Sequence, residues 1–301
     1  MKHHLTLLAL ACLLAACAAP TPKKKVLLIG LDGVRVDILA QADTPHIDAL
    51  IADGTFSDSA LTRPPTVSGP GWSSMLTGVW ADKHGVMSND FSSQNYAAFP
   101  DFLTRLEKLD STFNTFAILN WSPLGDTTDG GPLVTDRIDT KIVFDGYGPG
   151  YKLADAQSTI QAAEHLLTQD PDAAFVYLGN IDVVGHDTNS LSPEYRTAIE
   201  QADGQVGVLL STLKERLTYD DEDWLILMST DHGRRDDGGH GETSLQERTI
   251  FYLASGPAAA KGRPAPAPAP AIVDVAVTAL THLGVSIDPA WQLDGQAVGL
   301  R

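Results

Sequence analysis

At 301 residues and 32.1 kDa, with 43% apolar and 20% charged side chains, the chain has the composition of a globular protein with a large core, which excludes disordered and fibrous classes. Its 21 basic and 38 acidic residues give a formal net charge of −17, a field that repels a nucleic-acid duplex. Such a chain can still take an anionic substrate where metal ions supply local positive charge.

Residues 1–16 open with a basic start at Lys2 and continue as an apolar run from Leu5 to Ala16, too short to span a bilayer; this reads as a secretory signal. Leu14-Ala15-Ala16-Cys17 resembles a bacterial lipobox, so Cys17 is expected to carry lipid and tether the protein to a membrane surface. The alternative is a plain signal peptide. Ala18 after the cysteine resembles lipoproteins sent to the outer membrane, facing the periplasm of a Gram-negative cell. Cys12 leaves with the signal, so no intramolecular disulfide is expected. Residues 17–24 read as a polar tether, and residues 25–301 as one catalytic domain.

Continuous apolar runs at Val26–Leu31, Thr115–Leu119, Ala174–Leu178, Trp224–Met228 and Thr249–Leu253 predict strands buried on both faces. Helical patterns fall at Thr44–Ala52, Pro100–Leu109, Leu153–Leu167, Pro193–Leu217 and Ile272–Leu283. This alternation predicts an α/β fold with a mainly parallel central sheet flanked by helices on both faces. The Pro/Ala stretch Gly262–Pro270 reads as an exposed connector.

In open α/β sheets, ligands bind outside the carboxyl ends of the strands. Asp32, Asp182, and the pair Asp231-His232 each follow a predicted strand. Asp32 alone could equally be a turn former. Asp182 and His186 would share one face if their segment were helical, although Gly185 suggests a loop. His240, between two glycines, suits a ligand better than a core histidine. Together these residues are an oxygen-and-nitrogen set fit for two divalent metals.

The loop Thr66–Gly78 offers a nucleophile: Ser68 precedes Gly-Pro-Gly at the start of a predicted helix running to Thr77, whose unpaired N–H groups would suit an anionic oxygen. Ser68 could instead be only the helix cap, and Thr66, Ser73 and Ser74 are competing hydroxyls. The bland readings go to His46 and His84 as structural groups, to His282 as packing, and to Asp220–Asp223 and Arg234-Arg235-Asp236-Asp237 as solvated loops, the latter bordering the site.

Ile29-Gly30-Leu31-Asp32-Gly33, Thr44-Pro45-His46-Ile47-Asp48, the Ser68 loop with Thr77-Gly78, His84-Gly85-Val86, Asp182-x-x-x-His186 and Asp231-His232-Gly233 follow one another in an order that resembles the alkaline phosphatase superfamily. The nearest branch looks like the type I phosphodiesterase/nucleotide pyrophosphatase group. The resemblance covers about residues 25–300 and implies an alkaline phosphatase-like fold.

It also implies two zinc ions, with manganese as the alternative: one held by Asp182, His186 and His240, the other by Asp32, Asp231, His232 and the nucleophile oxygen. The family nucleophile lies ten residues before the glycine of the Thr-Gly pair, with Pro two residues after it. That selects Ser68 over Thr66, with Asn89 as the phosphate-contacting asparagine. His240 follows the Asp-His pair much sooner than in the larger phosphodiesterases, so a compact version lacking much of the lid is expected. Trp72 stands where sulfatases carry the arginine of their formylglycine motif, which argues against sulfatase activity. The expected function is hydrolysis of small phosphate esters, foremost diesters or nucleotide pyrophosphates, through a phosphoserine. The alternatives are a phosphomonoesterase or phosphonate hydrolase, and a non-catalytic metal-binding surface lipoprotein. Arg63, Lys83, Arg234 and Arg235 are the cations near enough in sequence to clamp a monoester.

Overall fold

The computed structural model describes residues 21–262 and 268–301. The signal segment 1–16, Cys17, the start of the tether and the middle of the Pro/Ala connector lie outside the described residues.

The chain builds a 7-stranded sheet in the order β2-β7-β6-β1-β5-β3-β4. Its strands are β1 (Lys23–Leu31), β2 (Gly54–Leu61), β3 (Thr115–Leu119), β4 (Thr140–Val143), β5 (Ala173–Leu178), β6 (Glu222–Ser229) and β7 (Thr249–Ser255). β1 pairs in parallel with β5 and β6, and β3 with β4 and β5. β7 runs antiparallel to both its neighbours, β6 and β2. The fold class is therefore the expected one, with a single reversed strand near one edge.

Two differences concern the strands. β2 and β4 were not expected; both are edge strands, and β2 (Gly-Thr-Phe-Ser-Asp-Ser-Ala-Leu) carries polar residues that break the apolar run by which buried strands are read. β1 starts at Lys23, inside the expected tether. Lysines enter a strand there because Lys25 is buried against Asp170 and Asp172, its Nζ 2.8 Å and 3.3 Å from their carboxylates.

The helices used below are α1 (Pro45–Asp53), α2 (Ser68–Thr77), α3 (Phe102–Leu109), α4 (Tyr151–Thr168), α5 (Asn180–Asp187), α6 (Pro193–Lys214) and α7 (Asp274–His282). Side chains alternate across a strand, so β1 feeds two cores. Val26 and Leu28 pack with Trp72, Met75 and Leu76 of α2, Leu103 and Leu106 of α3, and Val275 and Ala276 of α7. Leu27, Ile29 and Leu31 pack with Ile47 of α1, Ala162 and Leu166 of α4, and Tyr195, Ile199 and Val206 of α6. Helices thus cover both faces.

Candidate active site

β6, β1 and β5 are adjacent and parallel, so their carboxyl ends open side by side. Asp32 follows β1, Asp231 and His232 follow β6, and Asp182 sits in the first turn of α5 just past β5. The fold brings all three aspartates to one edge.

Asp32 and Asp231 are buried, and each has one oxygen held and one bare. Asp32 Oδ2 accepts from Tyr177 Oη at 2.7 Å and from Trp72 Nε1 at 3.0 Å, while Oδ1 has no hydrogen-bond partner among the described residues. Asp231 Oδ1 accepts from the Gly33 N–H at 3.1 Å, while Oδ2 has none. The two bare oxygens lie 3.6 Å and 3.3 Å from His232 Nε2. Burial and the Asp182 charge push the Asp32 carboxyl up to about 7, and burial with the Asp32 charge raises Asp231 well above the usual range.

The histidines complete the cluster. His232 Nδ1 lies 3.0 Å from the Gly233 carbonyl, which commits that nitrogen as donor and leaves the Nε2 lone pair facing the carboxylates. His240 repeats the device, its Nδ1 2.8 Å from the Thr66 carbonyl, and its ring stacks on His232 with centroids 3.8 Å apart. His240 Nε2 faces His186 Nε2 at 2.9 Å. Asp182 Oδ2 is 3.5 Å from His186 Nε2, and its Oδ1 is 3.6 Å from His240 Nε2. Burial holds both His232 and His240 below the usual imidazole range.

The segment bearing Asp182 and His186 is helical, where Gly185 had suggested a loop. The glycine is there for space: a Cβ on it would lie 2.7 Å from Arg234 Nε. Arg234 is the larger correction. Read as a solvated loop charge, it is fully buried and donates to the Asp182 carboxylate. Glu222, within the acidic run Asp220–Asp223 also read as solvated, is buried and ion-paired with Arg216 at 2.6 Å.

Ser68 opens α2 with its Oγ 3.3 Å from His232 Nε2. Thr66 is occupied elsewhere, its hydroxyl donating to the Glu242 carbonyl and accepting from the Gly241 N–H, both at 3.0 Å. Ser73 Oγ donates to the Gly69 carbonyl at 2.6 Å, and Ser74 Oγ meets the buried His84 Nε2 at 3.0 Å. Asn89 reaches the nucleophile loop, its Oδ1 accepting from the Gly69 N–H at 2.8 Å. That changes the expected role of the helix amides. Gly69 N–H is taken by Asn89, Pro70 has none, and Gly71 N–H bonds the Val67 carbonyl at 3.1 Å. The Asn89 side chain thus meets Gly69 through its oxygen, which leaves its NH2 uncommitted to Gly69.

A cavity of about 260 Å³ unites Asp32, Ser68, Asn89, Asp182, His186 and His240. Trp121, Tyr147, Tyr151 and Tyr177 give it an aromatic wall, Gly179, Val183 and Asp187 complete the lining, and among the described residues no lysine or arginine lines it. Three of the four candidate cations are engaged elsewhere: Arg63 lies over the Trp80 ring at 4.1 Å, Lys83 pairs with Asp294 at 2.5 Å and Arg235 pairs with Glu247 at 2.9 Å; the fourth, Arg234, is fully buried and bonded to Asp182.

Among the described residues, two ligand groups converge tightly enough for a metal ion: Asp32, Asp231 and His232, and Asp182, His232 and His240, so His232 stands between them. His186 joins the second through its contact with His240. The donor chemistry fits divalent cations. Two buried carboxylate oxygens have no donor among the described residues, and the His232 Nε2 lone pair faces both, an arrangement that a cation satisfies and that is otherwise costly.

Three comparisons bear on this arrangement. The family described as type I phosphodiesterase / nucleotide pyrophosphatase matches residues 26–237. Among curated proteins, GPI ethanolamine phosphate transferase 1 of Candida glabrata is 26% identical over 246 residues, 73% of this chain and 26% of that protein. Ectonucleotide pyrophosphatase/phosphodiesterase family member 7 of Mus musculus is 24% identical over 255 residues, 77% of this chain and 56% of that protein. The chain thus spans roughly a quarter to a half of the length of these relatives. Among solved structures, an inactive form of murine ectonucleotide pyrophosphatase / phosphodiesterase 5 in complex with AMP superposes with a TM-score of 0.65 at 16% identity, over 88% of this chain and 96% of that one. A 2-O GAG sulfatase superposes with a TM-score of 0.70 at 13% identity, over 92% and 73%. These two likenesses show the fold.

Proposed function

The chain belongs to the type I phosphodiesterase / nucleotide pyrophosphatase family, and from that premise we propose that it hydrolyses phosphate diesters through a phosphoserine formed on Ser68. The observation that carries the reading is the Ser68 hydroxyl beside His232 Nε2, which itself faces the bare oxygens of two buried carboxylates, in a cavity that no lysine or arginine lines among the described residues.

Divalent metals, zinc foremost and manganese as the alternative, would be held by Asp32, Asp231 and His232 on one side and by Asp182, His186 and His240 on the other; they supply the positive charge that acidifies the Ser68 hydroxyl and the hydrolytic water. Ser68, fixed at the start of α2, gives up its hydroxyl proton to solvent and attacks phosphorus in line. The Oγ–P bond forms as the bond to the leaving alcohol breaks, and that alcohol departs with a proton from solvent. Water then attacks the phosphoserine, the Oγ–P bond breaks, and Oγ regains its proton. Asn89 donates to a non-bridging oxygen whose charge grows in each transition state. His232 and His240 keep their Nε2 lone pairs aimed into the site because their Nδ1 atoms are bound to carbonyls.

A diester carries one negative charge, a monoester up to two. A pocket that, among the described residues, no lysine or arginine lines suits the diester. The same proposal takes the substrate to be a small phosphate ester, not a duplex, and Cys17 to be a lipid anchor holding the domain in the periplasm.

The test is hydrolysis of bis(4-nitrophenyl) phosphate and 4-nitrophenyl phosphate by residues 18–301 with zinc, alongside Ser68→Ala. Diester preference lost in the variant is expected. Near wild-type turnover by Ser68→Ala would overturn the phosphoserine, and monoester preference would overturn the substrate class.

A further inference from the structure

Arg234 makes contacts that the reaction just described does not use. Its guanidinium is fully buried. Nη2 donates to the Asp182 backbone carbonyl at 3.0 Å and also to Asp182 Oδ1, while Nη1 donates to the Gly238 carbonyl. One fork therefore joins α5, which carries Asp182 and His186, to the loop that carries His240.

The surrounding backbone is shaped to admit it. A Cβ on Gly185 would lie 2.7 Å from Nε and 2.9 Å from Cζ, and one on Gly33 would lie 3.1 Å from Nε and 2.7 Å from Asp182 Oδ1. Gly238, at φ +86°, packs so closely on α5 that a Cβ there would meet the Gly185 carbonyl at 2.1 Å. Three glycines on three segments thus form a slot for one planar cation. An arginine suits it because its planar fork can serve a carboxylate and carbonyls in two directions, whereas an ammonium is a point charge.

We propose that Arg234 is a positioning residue that sets Asp182 and the His240 loop in register for one of the two metals. The inference rests on the two-metal reading of the site. Clamped through Oδ1 and its own carbonyl, Asp182 cannot swing away, and its Oδ2 stays 3.5 Å from His186 Nε2. The Asp32/Asp231 group does not depend on the clamp: its held oxygens are fixed by Trp72, Tyr177 and the Gly33 N–H.

The test is zinc binding to chelator-stripped protein, read by competition with a chromophoric chelator. Wild type is expected to take two equivalents. Arg234→Met should weaken one of them by about tenfold or more, the range for outer-shell partners of metal ligands, and leave the other within about threefold. Arg234→Lys should not restore it, because one ammonium cannot reach Asp182 and Gly238 together. Gly185→Ala is a second route to the same displacement that keeps the arginine: its Cβ crowds the guanidinium, so one equivalent should weaken in a chain whose circular dichroism and cooperative unfolding show that it is still folded. Wild-type affinity for both equivalents in Arg234→Met and Gly185→Ala would overturn the inference, as would full rescue by lysine. A wild-type chain that takes up no metal would overturn the two-metal reading itself, a result distinct from either.

Discussion

The Tyr177 hydroxyl, from β5, donates to Asp32 Oδ2 across the strand boundary at 2.7 Å, so that the other carboxylate oxygen is left bare and aimed at His232. The Trp72 indole reinforces this from α2 at 3.0 Å. Orientation of Asp32 is thereby set by two buried donors. Tyr177→Phe keeps the ring and removes one donor. It should lower zinc affinity and kcat/KM by about tenfold, measured by chelator competition and diester turnover. Unchanged values in both would show that Trp72 alone suffices.

Ser68 and Thr66 are separated by what their hydroxyls already do. Thr66 is spent bridging Glu242 and Gly241, whereas Ser68 Oγ faces His232 inside the cavity. Ser68→Ala should abolish burst and turnover, a loss of at least about a thousandfold. Thr66→Ala should cost about 1 kcal/mol of stability from the lost bonds and retain most chemistry. Mass spectrometry of acid-quenched enzyme should find phosphate on Ser68; phosphate on Thr66 would reverse the assignment.

The strand ends were readable because a strand buried on both faces is an apolar run, and the acid that breaks it marks the edge: Ile29-Gly30-Leu31 before Asp32, Leu227-Met228-Ser229 before Asp231. Other features depended on distant partners. Arg234 sits beside Arg235, Asp236 and Asp237 in a stretch that reads as solvated, and its burial is decided by Asp182, 52 residues away. Gly185 looked like a helix breaker because nothing local reveals the guanidinium it makes room for. The Gly69 amide looked free because its acceptor, Asn89, comes from a different loop.

The cations near Ser68 in sequence should be silent in catalysis. Arg63 stacks on Trp80 and Lys83 is tied to Asp294 and to the Gln292 carbonyl at 2.6 Å. Arg63→Ala and Lys83→Ala should therefore leave the diester-to-monoester rate ratio within about twofold, since charges held outside the cavity add little to the transition state. A ratio shifted tenfold toward the diester by either variant would identify a monoester clamp that moves on substrate binding.

Asp101, which does not line the candidate site's cavity, predicts a pH effect on stability. Buried as the cap of α3, it accepts from the Leu103 and Thr104 N–H groups, both at 3.0 Å, through Oδ1 alone, and burial pushes its carboxyl up to about 6. The folded chain therefore holds this proton to higher pH than the unfolded chain does. The associated stability is present below the unfolded pKa and is lost as pH rises through about 6. Asp101→Asn removes the proton but keeps a cap. The wild type should gain on this variant by about 1 kcal/mol as pH falls from 8 to 5, measured by denaturant unfolding with chelator present. A gap that does not move with pH would refute it.

Asp155 offers a test of how α5 is placed. From α4, buried, its Oδ1 accepts from Asn120 Nδ2 at 2.7 Å and from the Gly179 N–H at 2.9 Å, and its Oδ2 accepts from the Asn180 N–H at 2.9 Å. This carboxylate holds the first residues of α5, immediately ahead of Asp182. Asp155→Asn turns one acceptor into an NH2 that must face a donor, leaving a buried N–H unpaired at a cost of about 1–3 kcal/mol. α5 should relax away from that clash and carry Asp182 and His186 with it. Diester kcat/KM should fall about tenfold at limiting zinc and recover substantially at excess zinc, because the defect lies in ligand placement. Ser68→Ala, by contrast, should not recover at any zinc concentration. If Asp155→Asn loses activity that excess zinc cannot restore while the chain stays folded, Asp155 acts on the substrate side of the cavity and not through the metal ligands.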